Sequence, residues 1–444
     1  MTRHPPPGAR ERTAWCLFDF ANSSFTTVII TVVFGRVFVG TIAESPEQGN
    51  SLWALSLAVA NLVSLLVGPI LGGWVDAGMG KRRPLIAAWA ACCALTAMLG
   101  LFGRGDALAA LVVVTAANIA FCLGENLIAS FLPELAPPEE IGRLSARGWA
   151  TGYFGGLLSL VLALVLVEHG EGDRVPLATA IFFFVAGLPT VVWLKDRGKV
   201  ASGTLPTVAD AFAVLRTTWA ERARYPDLGR LLSALFLVQG GVSLVIGFSA
   251  IFATEALGLP ESETILMFIV IQLAAALGAV LFGRWQDRRG SRWALLATTV
   301  LWIVATVLSL ASGTALMESL GRSLPESLVG ADPTAAARRG VFWVGALLAG
   351  AAMGSSQSAG RAMVALLAPP GREAEWFGLW GLSTKAAACV SAALFAVLTR
   401  WLPVRDAMGI TLIFFVAGWV VLRGLDEARG RAAAGRVSQN GVAP

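Results

Sequence analysis

The stretch Gly72-Gly73-Trp74-Val75-Asp76-Ala77-Gly78-Met79-Gly80-Lys81-Arg82-Arg83 has an echo later in the chain, Gly283-Arg284-Trp285-Gln286-Asp287-Arg288-Arg289-Gly290-Ser291-Arg292. Both read Gly-x-Trp-x-Asp followed by glycine and basic residues, and both close an apolar segment. A second echo pairs Leu135-Ala136-Pro137-Pro138 with Leu367-Ala368-Pro369-Pro370. Six apolar segments separate the members of each pair, so the chain reads as two parallel six-helix repeats.

The composition around these echoes belongs in a bilayer. Hydrophobic residues make up 56% of the 444, charged residues only 14%, and mean hydropathy is +0.70, well away from a soluble domain. A membrane span needs roughly 20 mostly apolar residues. Twelve such spans are expected, at 15–41, 51–75, 84–103, 107–132, 148–167, 175–194, 229–254, 264–283, 293–313, 341–366, 376–399 and 404–422. The fold class is therefore all-α membrane protein, with an N-terminal bundle over 1–194, a linker over 195–228, a C-terminal bundle over 229–425 and a flexible tail over 426–444.

Most of the 34 Lys and Arg fall in segments that share a side with both termini. By the positive-inside rule both termini are expected to be cytoplasmic. The net charge of +5 then reflects topology, and no nucleic-acid partner is expected. The first span is too long for a signal-peptide core and stays as helix one. Cys16, Cys92, Cys93, Cys122 and Cys389 lie in or beside apolar spans without CxxC spacing, so neither a metal nor a disulfide framework is expected. There is no Walker motif and no nucleophile–base constellation. The chain is not expected to be an enzyme and no cofactor is implied; membrane lipid and a small-molecule solute are the expected partners, and the protein is expected to be a monomer in the inner (plasma) membrane.

In the linker, Val208, Phe212, Leu215 and Trp219 recur at helical spacing. They read either as an amphipathic helix on the inner leaflet or as a soluble helix packed on the loops. Residues 314–340 read as the main outer loop.

Polar groups inside spans need a reason to be there, since a charge at the bilayer centre costs about 2.5–3.5 kcal/mol on insertion scales. Asp19, Asn22, Ser23 and Thr26 share one face of helix one, which is expected to line a polar path; the alternative is that Asp19 starts the helix at the interface. Helix four carries Asn118, Glu125 and Asn126. Glu125 is the coupling candidate, at a depth compatible with Lys385 on helix eleven: either the two form a gate, or Glu125 carries a proton as coupling ion. The alternative is a fixed pair that holds helices together. Through the shared Ala-Pro-Pro, Gln357 stands where Glu125 stands in the first repeat; with Gln239 and Gln272 it forms an expected uncharged polar lining. Arg36, near the outer end of helix one, is read as snorkelling to the headgroups.

The doubled Gly-x-x-x-Asp-x-x-Gly-basic loop resembles the signature of the major facilitator superfamily. The resemblance implies that Gly73, Asp76, Gly80, Lys81 and Arg82, and Gly283, Asp287, Arg288, Gly290 and Arg292, form gate loops. A carboxylate at the end of one half would meet basic groups or a helix N-terminus of the other. The first copy has one extra residue between Asp76 and Gly80; the alternative is that Lys81, Arg82 and Arg83 only anchor the topology.

A narrower resemblance rests on Trp15-Cys16-Leu17-Phe18-Asp19-Phe20-Ala21-Asn22-Ser23-Ser24, on Ser130-Phe131-Leu132-Pro133-Glu134, on Gly142-Arg143-Leu144-Ser145 and on Glu375-Trp376-Phe377-Gly378-Leu379. These are similar to segments of the autophagy-related vacuolar amino-acid effluxer family and its bacterial members. The resemblance implies secondary transport of a small solute by alternating access, with amino acids favoured and efflux as the direction. Where that family tends to carry Asn-Asp-Gly near helix seven, this chain has Gln239-Gly240-Gly241, without the acid. A non-transporting membrane receptor or assembly subunit, or a lipid or drug exporter, are the alternatives.

Overall fold

The computed structural model describes residues 7–197, 222–257, 260–312 and 332–435, with isolated positions between 207 and 220 and between 314 and 322. In the first half, α1 (Ala9–Ser24) continues through wider π-helical turns, Phe25–Val32 and Phe38–Ile42, and is followed by α2 (Pro46–Trp74), α3 (Arg82–Met98), α4 (Ala107–Ser130), α5 (Ile141–Glu168) and α6 (Val175–Trp193). The second half holds α7 (Pro226–Leu257), α8 (Glu261–Arg289), α9 (Ser291–Ser312), α10 (Pro333–Leu367), α11 (Glu373–Leu398) and α12 (Ile410–Arg423), and a short α13 (Glu427–Ala433) ends the chain. Among the described residues, ten helices are long and apolar enough to cross a membrane, α1 to α9 and α11. The other two long elements are α10, with 35 residues, and the shorter α12, with 14.

The helix starts follow from local chemistry. Ser45 Oγ accepts the Gln48 N–H and Pro46 opens α2, while Asp332 accepts the Ala335 N–H at the start of α10; both satisfy donors that have no intrahelical partner.

Packing repeats with a period of six helices. In the first half α1 packs on α5 and α6, α2 on α4, and α3 on α4 and α6; in the second, α7 packs on α11 and α12, α8 on α10, and α9 on α10 and α12. The halves meet along two matching seams, α2 against α11 and α5 against α8. Small residues let these backbones approach closely. A Cβ on Gly72 would strike the Ala374 carbonyl, one on Gly378 the Gly68 carbonyl, and one on Gly283 the Ala146 side chain.

Two expectations change. Residues 333–340, read as part of the outer loop, already belong to α10. Residues 427–433, read as flexible tail, form α13, where Asp426 caps the helix and Arg429 ion-pairs with Asp227 at 2.6 Å. In the linker Val208, Leu215 and Trp219 lie outside the described residues, so the amphipathic-helix reading does too.

Candidate functional site

The end of the bundle that carries the described chain ends is sealed by two contacts at matching places in the two halves. After α2 the chain turns through Gly78 (φ 126°) and Gly80 (φ 81°), and after α8 through Gly290 (φ 90°). These are left-handed conformations that glycine adopts without steric cost. The turns aim the preceding carboxylates across the seam. Asp76 accepts the N–H groups of Ala374 at 3.3 Å and Glu375 at 2.7 Å, in the first turn of α11. Asp287 accepts the N–H of Arg143 at 3.1 Å, in the first turn of α5. Each half thus supplies the anion that caps a helix N-terminus of the other, where unsatisfied N–H groups and the helix dipole favour negative charge.

The basic residues beside the two aspartates diverge. Lys81 is buried; it ion-pairs with Glu134, donates to the Ser130 carbonyl at 3.1 Å and lies 3.4 Å from Glu373 across the seam. Burial alone would lower its pKa, but the surrounding Glu373, Glu134 and Asp76 raise it above the ordinary lysine value. Arg82 turns away from the seam, donating to the Val191 carbonyl at 2.7 Å. In the second copy Arg288 is exposed, and Arg292 donates to the Arg423 carbonyl at 2.8 Å while its N–H meets Glu427.

One layer deeper lies an ion pair between the halves. Arg361 on α10 sits 2.8 Å from Asp19 on α1. Its guanidinium also donates to the Ser145 hydroxyl and carbonyl on α5, at 3.1 and 2.9 Å, and lies over the rings of Trp15 and Trp149 at 4.5 and 5.4 Å. Gly148 is what admits this cluster, since a Cβ there would meet Asp19, Arg361 and Trp15. Beside it, Lys385 stands 4.0 Å from Glu125. Asp19, Asn22, Ser23, Glu125, Trp380 and Arg361 surround one small void, and Asn22 Oδ1 is buried there without a hydrogen-bond partner among the described residues. An unpaired buried acceptor of this kind is costly to keep unless something else satisfies it.

Beyond this layer, away from the sealed end, a cavity of about 270 Å³ opens between the halves. It shares Ser23, Trp149 and Gly152 with the void, and adds Thr26, Thr27 and Thr31 from α1, Tyr153 from α5 and Gln272 from α8 among largely apolar side chains. The π-helical turns of α1 form one wall. Such turns are rare and concentrate at functional sites.

The sequence-derived candidates therefore divide. Asp19, Asn22, Ser23 and Glu125 come together, Thr26 and Gln272 face the cavity, and Lys385 reaches Glu125. Asn126 instead wedges between α2 and α11, against Gly68 and Gly381. Asn118 is buried, with the Cys122 thiol 3.8 Å from its Oδ1. Gln357 donates to Gln239 at 3.0 Å, bridging α10 and α7, and neither lines the cavity. Gly73 is buried in the last turn of α2, and Arg36 is exposed between the two π-helical stretches of helix one. Arg361 escapes the sequence reading because it falls near the expected end of the tenth span and passes for a loop cation. Its signal was there: an arginine inside residues 341–366 needs a partner at depth.

The chain and its fold have counterparts among known proteins. The model of the family described as vacuole effluxer Atg22 like matches residues 38–435. The uncharacterized MFS-type transporter YxiO of Bacillus subtilis is 24% identical over 433 residues, 94% of this chain and 95% of that one. Autophagy-related protein 22-1 of Aspergillus niger is 23% identical over 305 residues, 65% of this chain and 48% of that one, so the chain spans about half the length of the autophagy-related relative. Among solved structures, the human organic anion transporter MFSD10 (TETRAN) superposes with a TM-score of 0.72 at 17% identity, covering 94% of this chain and 100% of that one. The proton:xylose symporter XylE, of the major facilitator superfamily, superposes with a TM-score of 0.66 at 16% identity, covering 94% and 95%.

Proposed function

Because this chain belongs to the Atg22-like vacuole effluxer family of major facilitator transporters, we propose that it is a secondary transporter that exports a small zwitterionic solute, with amino acids the favoured class, by alternating access. The observation that carries this reading is the reciprocal capping of α11 by Asp76 and of α5 by Asp287. It holds one end of the inter-half seam shut while the cavity lies on the other side of the Asp19–Arg361 pair. Contacts of this kind, made of hydrogen bonds and ion pairs between rigid bundles, can break as a unit when the halves rock.

In this reading all twelve helices α1 to α12 span the plasma membrane of a monomer, both termini are cytoplasmic, and the sealed end faces the cytoplasm. The basic residues concentrated at that end support the orientation. The domain limits follow as 1–194, 195–228, 229–425 and 426–444. A substrate carboxylate would compete with Asp19 for Arg361, and a substrate ammonium would find Asp19 and Glu125. Asn22 Oδ1 supplies a free acceptor. Glu125, relieved of Lys385 when the halves separate, is the group proposed to take up the coupling proton. A second reading, export of a lipid or drug, is favoured by the largely apolar cavity wall.

The test is ligand-dependent thermal stability of the purified protein against amino acids, peptides, sugars and amphiphilic drugs at two pH values, with Glu125→Gln and Arg361→Lys variants. A zwitterion that stabilises the wild type and neither variant supports the proposal; stabilisation by apolar amphiphiles alone overturns it in favour of the second reading.

A further inference from the structure

At the terminus-bearing end, on the outside of the second bundle, an open cleft of about 620 Å³ lies between the starts of α9 and α13 and the end of α12. Its wall holds Arg289, Arg292, Arg423 and Arg429 against two carboxylates, Asp426 and Glu427. Both acids are engaged, Asp426 in capping α13 and Glu427 in accepting the Arg292 N–H. Arg429 is committed to Asp227. Among the described residues no carboxylate pairs with the guanidinium of the other arginines: Arg289 lies over the Trp293 ring at 5.1 Å, Arg423 over the Trp419 ring at 5.0 Å, and Arg292 Nε is buried without an acceptor.

The cleft continues into exposed apolar surface. Trp293 and Leu296, which line it, share a helix face with Val300 and Val304 of α9, and both valines are exposed. Arg423 shares a face with Val416 and Val420 of α12, also exposed. Because α9 packs on α12, two apolar strips run side by side away from one cationic pocket. Cations and indole rings at the end of apolar helices match the headgroup depth of a bilayer.

We infer that this cleft binds one anionic phospholipid, its headgroup phosphate held by Arg289, Arg292 and Arg423 and its acyl chains laid along Val300 and Val304 and along Val416 and Val420. Arg289 and Arg292 flank the turn that follows Asp287, so an occupied cleft braces the second of the two cross-half caps. Arginine suits the task because its planar fork pairs with phosphate oxygens and stacks on indole.

Native mass spectrometry after reconstitution into mixed phosphatidylcholine and phosphatidylglycerol vesicles tests this. The wild type should retain one phosphatidylglycerol, enriched about tenfold or more over its share of the vesicle. A double variant, Arg289→Gln with Arg423→Gln, should lose the enrichment, whereas Arg10→Gln with Arg216→Gln, removing the same charge elsewhere, should keep it. Equal retention of phosphatidylcholine by the wild type, or equal loss in both double variants, overturns the proposal. So does displacement of phosphatidylglycerol by inorganic phosphate, which would make the cleft a site for a soluble anion. Should the Arg289/Arg423 variant fail to fold, the melting temperature of the wild type decides: it must rise with added phosphatidylglycerol and not with added phosphatidylcholine.

Discussion

The loops that follow α2 and α8 share a sequence pattern and a backbone geometry, yet they are built to different strengths. In both, a positive-φ glycine follows an aspartate that caps a helix of the opposite half. At the first, Lys81 is 3% exposed and gathers Glu134 and Glu373, so the contact is dry and three-cornered. At the second, the partner cation is Arg143, 3.7 Å from Asp287 and 45% exposed. Water and salt screen that pair, and only the backbone cap is held firmly. A repeated motif therefore specifies the cap, while the burial of its basic neighbour decides how much the loop holds.

That asymmetry can be broken most directly at Lys81. Lys81→Met leaves Glu134 and Glu373 buried without their cation and is expected to destabilise the sealed form by about 3–5 kcal/mol, read as a fall in melting temperature in detergent. A change no larger than that from a surface lysine would mean that the two loops are equivalent after all.

Next in size are the caps themselves. Asp76→Asn should cost about 1.5–3 kcal/mol, because two N–H groups lose a charged acceptor. Asp287→Asn, where the Arg143 N–H donates at the longer distance of 3.1 Å, should cost about 1 kcal/mol. Both should raise the reactivity of a cysteine placed at Ser145, which lies between the seal and the cavity, and Asp76→Asn should raise it more. The reverse order would invert the comparison.

The pH dependence sharpens it further. The Lys81 pKa is raised in the folded protein, so its contribution is complete below the ordinary lysine value of about 10.4 and is lost as pH climbs through the raised value. The gap in melting temperature between wild type and Lys81→Met should therefore stay level from about pH 6 to 9 and close only in strong alkali. A gap that closes already near pH 8 would show that the carboxylates do not hold the lysine charged. The smallest effect belongs to Arg143→Gln, about 0–1 kcal/mol and vanishing at high salt.

Much of this was legible in the chain. The doubled Gly-x-Trp-x-Asp pattern placed both caps, because the needs of a tight turn and a carboxylate at a helix end are local. The shared face of Asp19, Asn22 and Ser23 followed from helical spacing, and Glu125 and Lys385 from the cost of charge in a bilayer. Arg361 did not emerge, because distance from a predicted helix end cannot separate a loop cation from one folded back between two indole rings. Asn126, Gln239 and Gln357 looked like lining residues for the opposite reason. A polar side chain within a span has to be satisfied, and periodicity leaves open whether water, substrate or a neighbouring helix does it.

By itself, then, the sequence determined that the chain is a helical membrane protein of two repeats, and where its turns and caps fall. Those features depend on local propensity and on transfer free energy summed along the chain. Tertiary structure alone decided which polar groups meet: that Arg361 pairs with Asp19 across the halves, that Lys81 is buried while Arg288 is exposed, and that the arginines of α8, α9 and α12 converge on one cleft. Such contacts join residues far apart in sequence. They depend on the angle at which rigid helices cross, which no local pattern encodes.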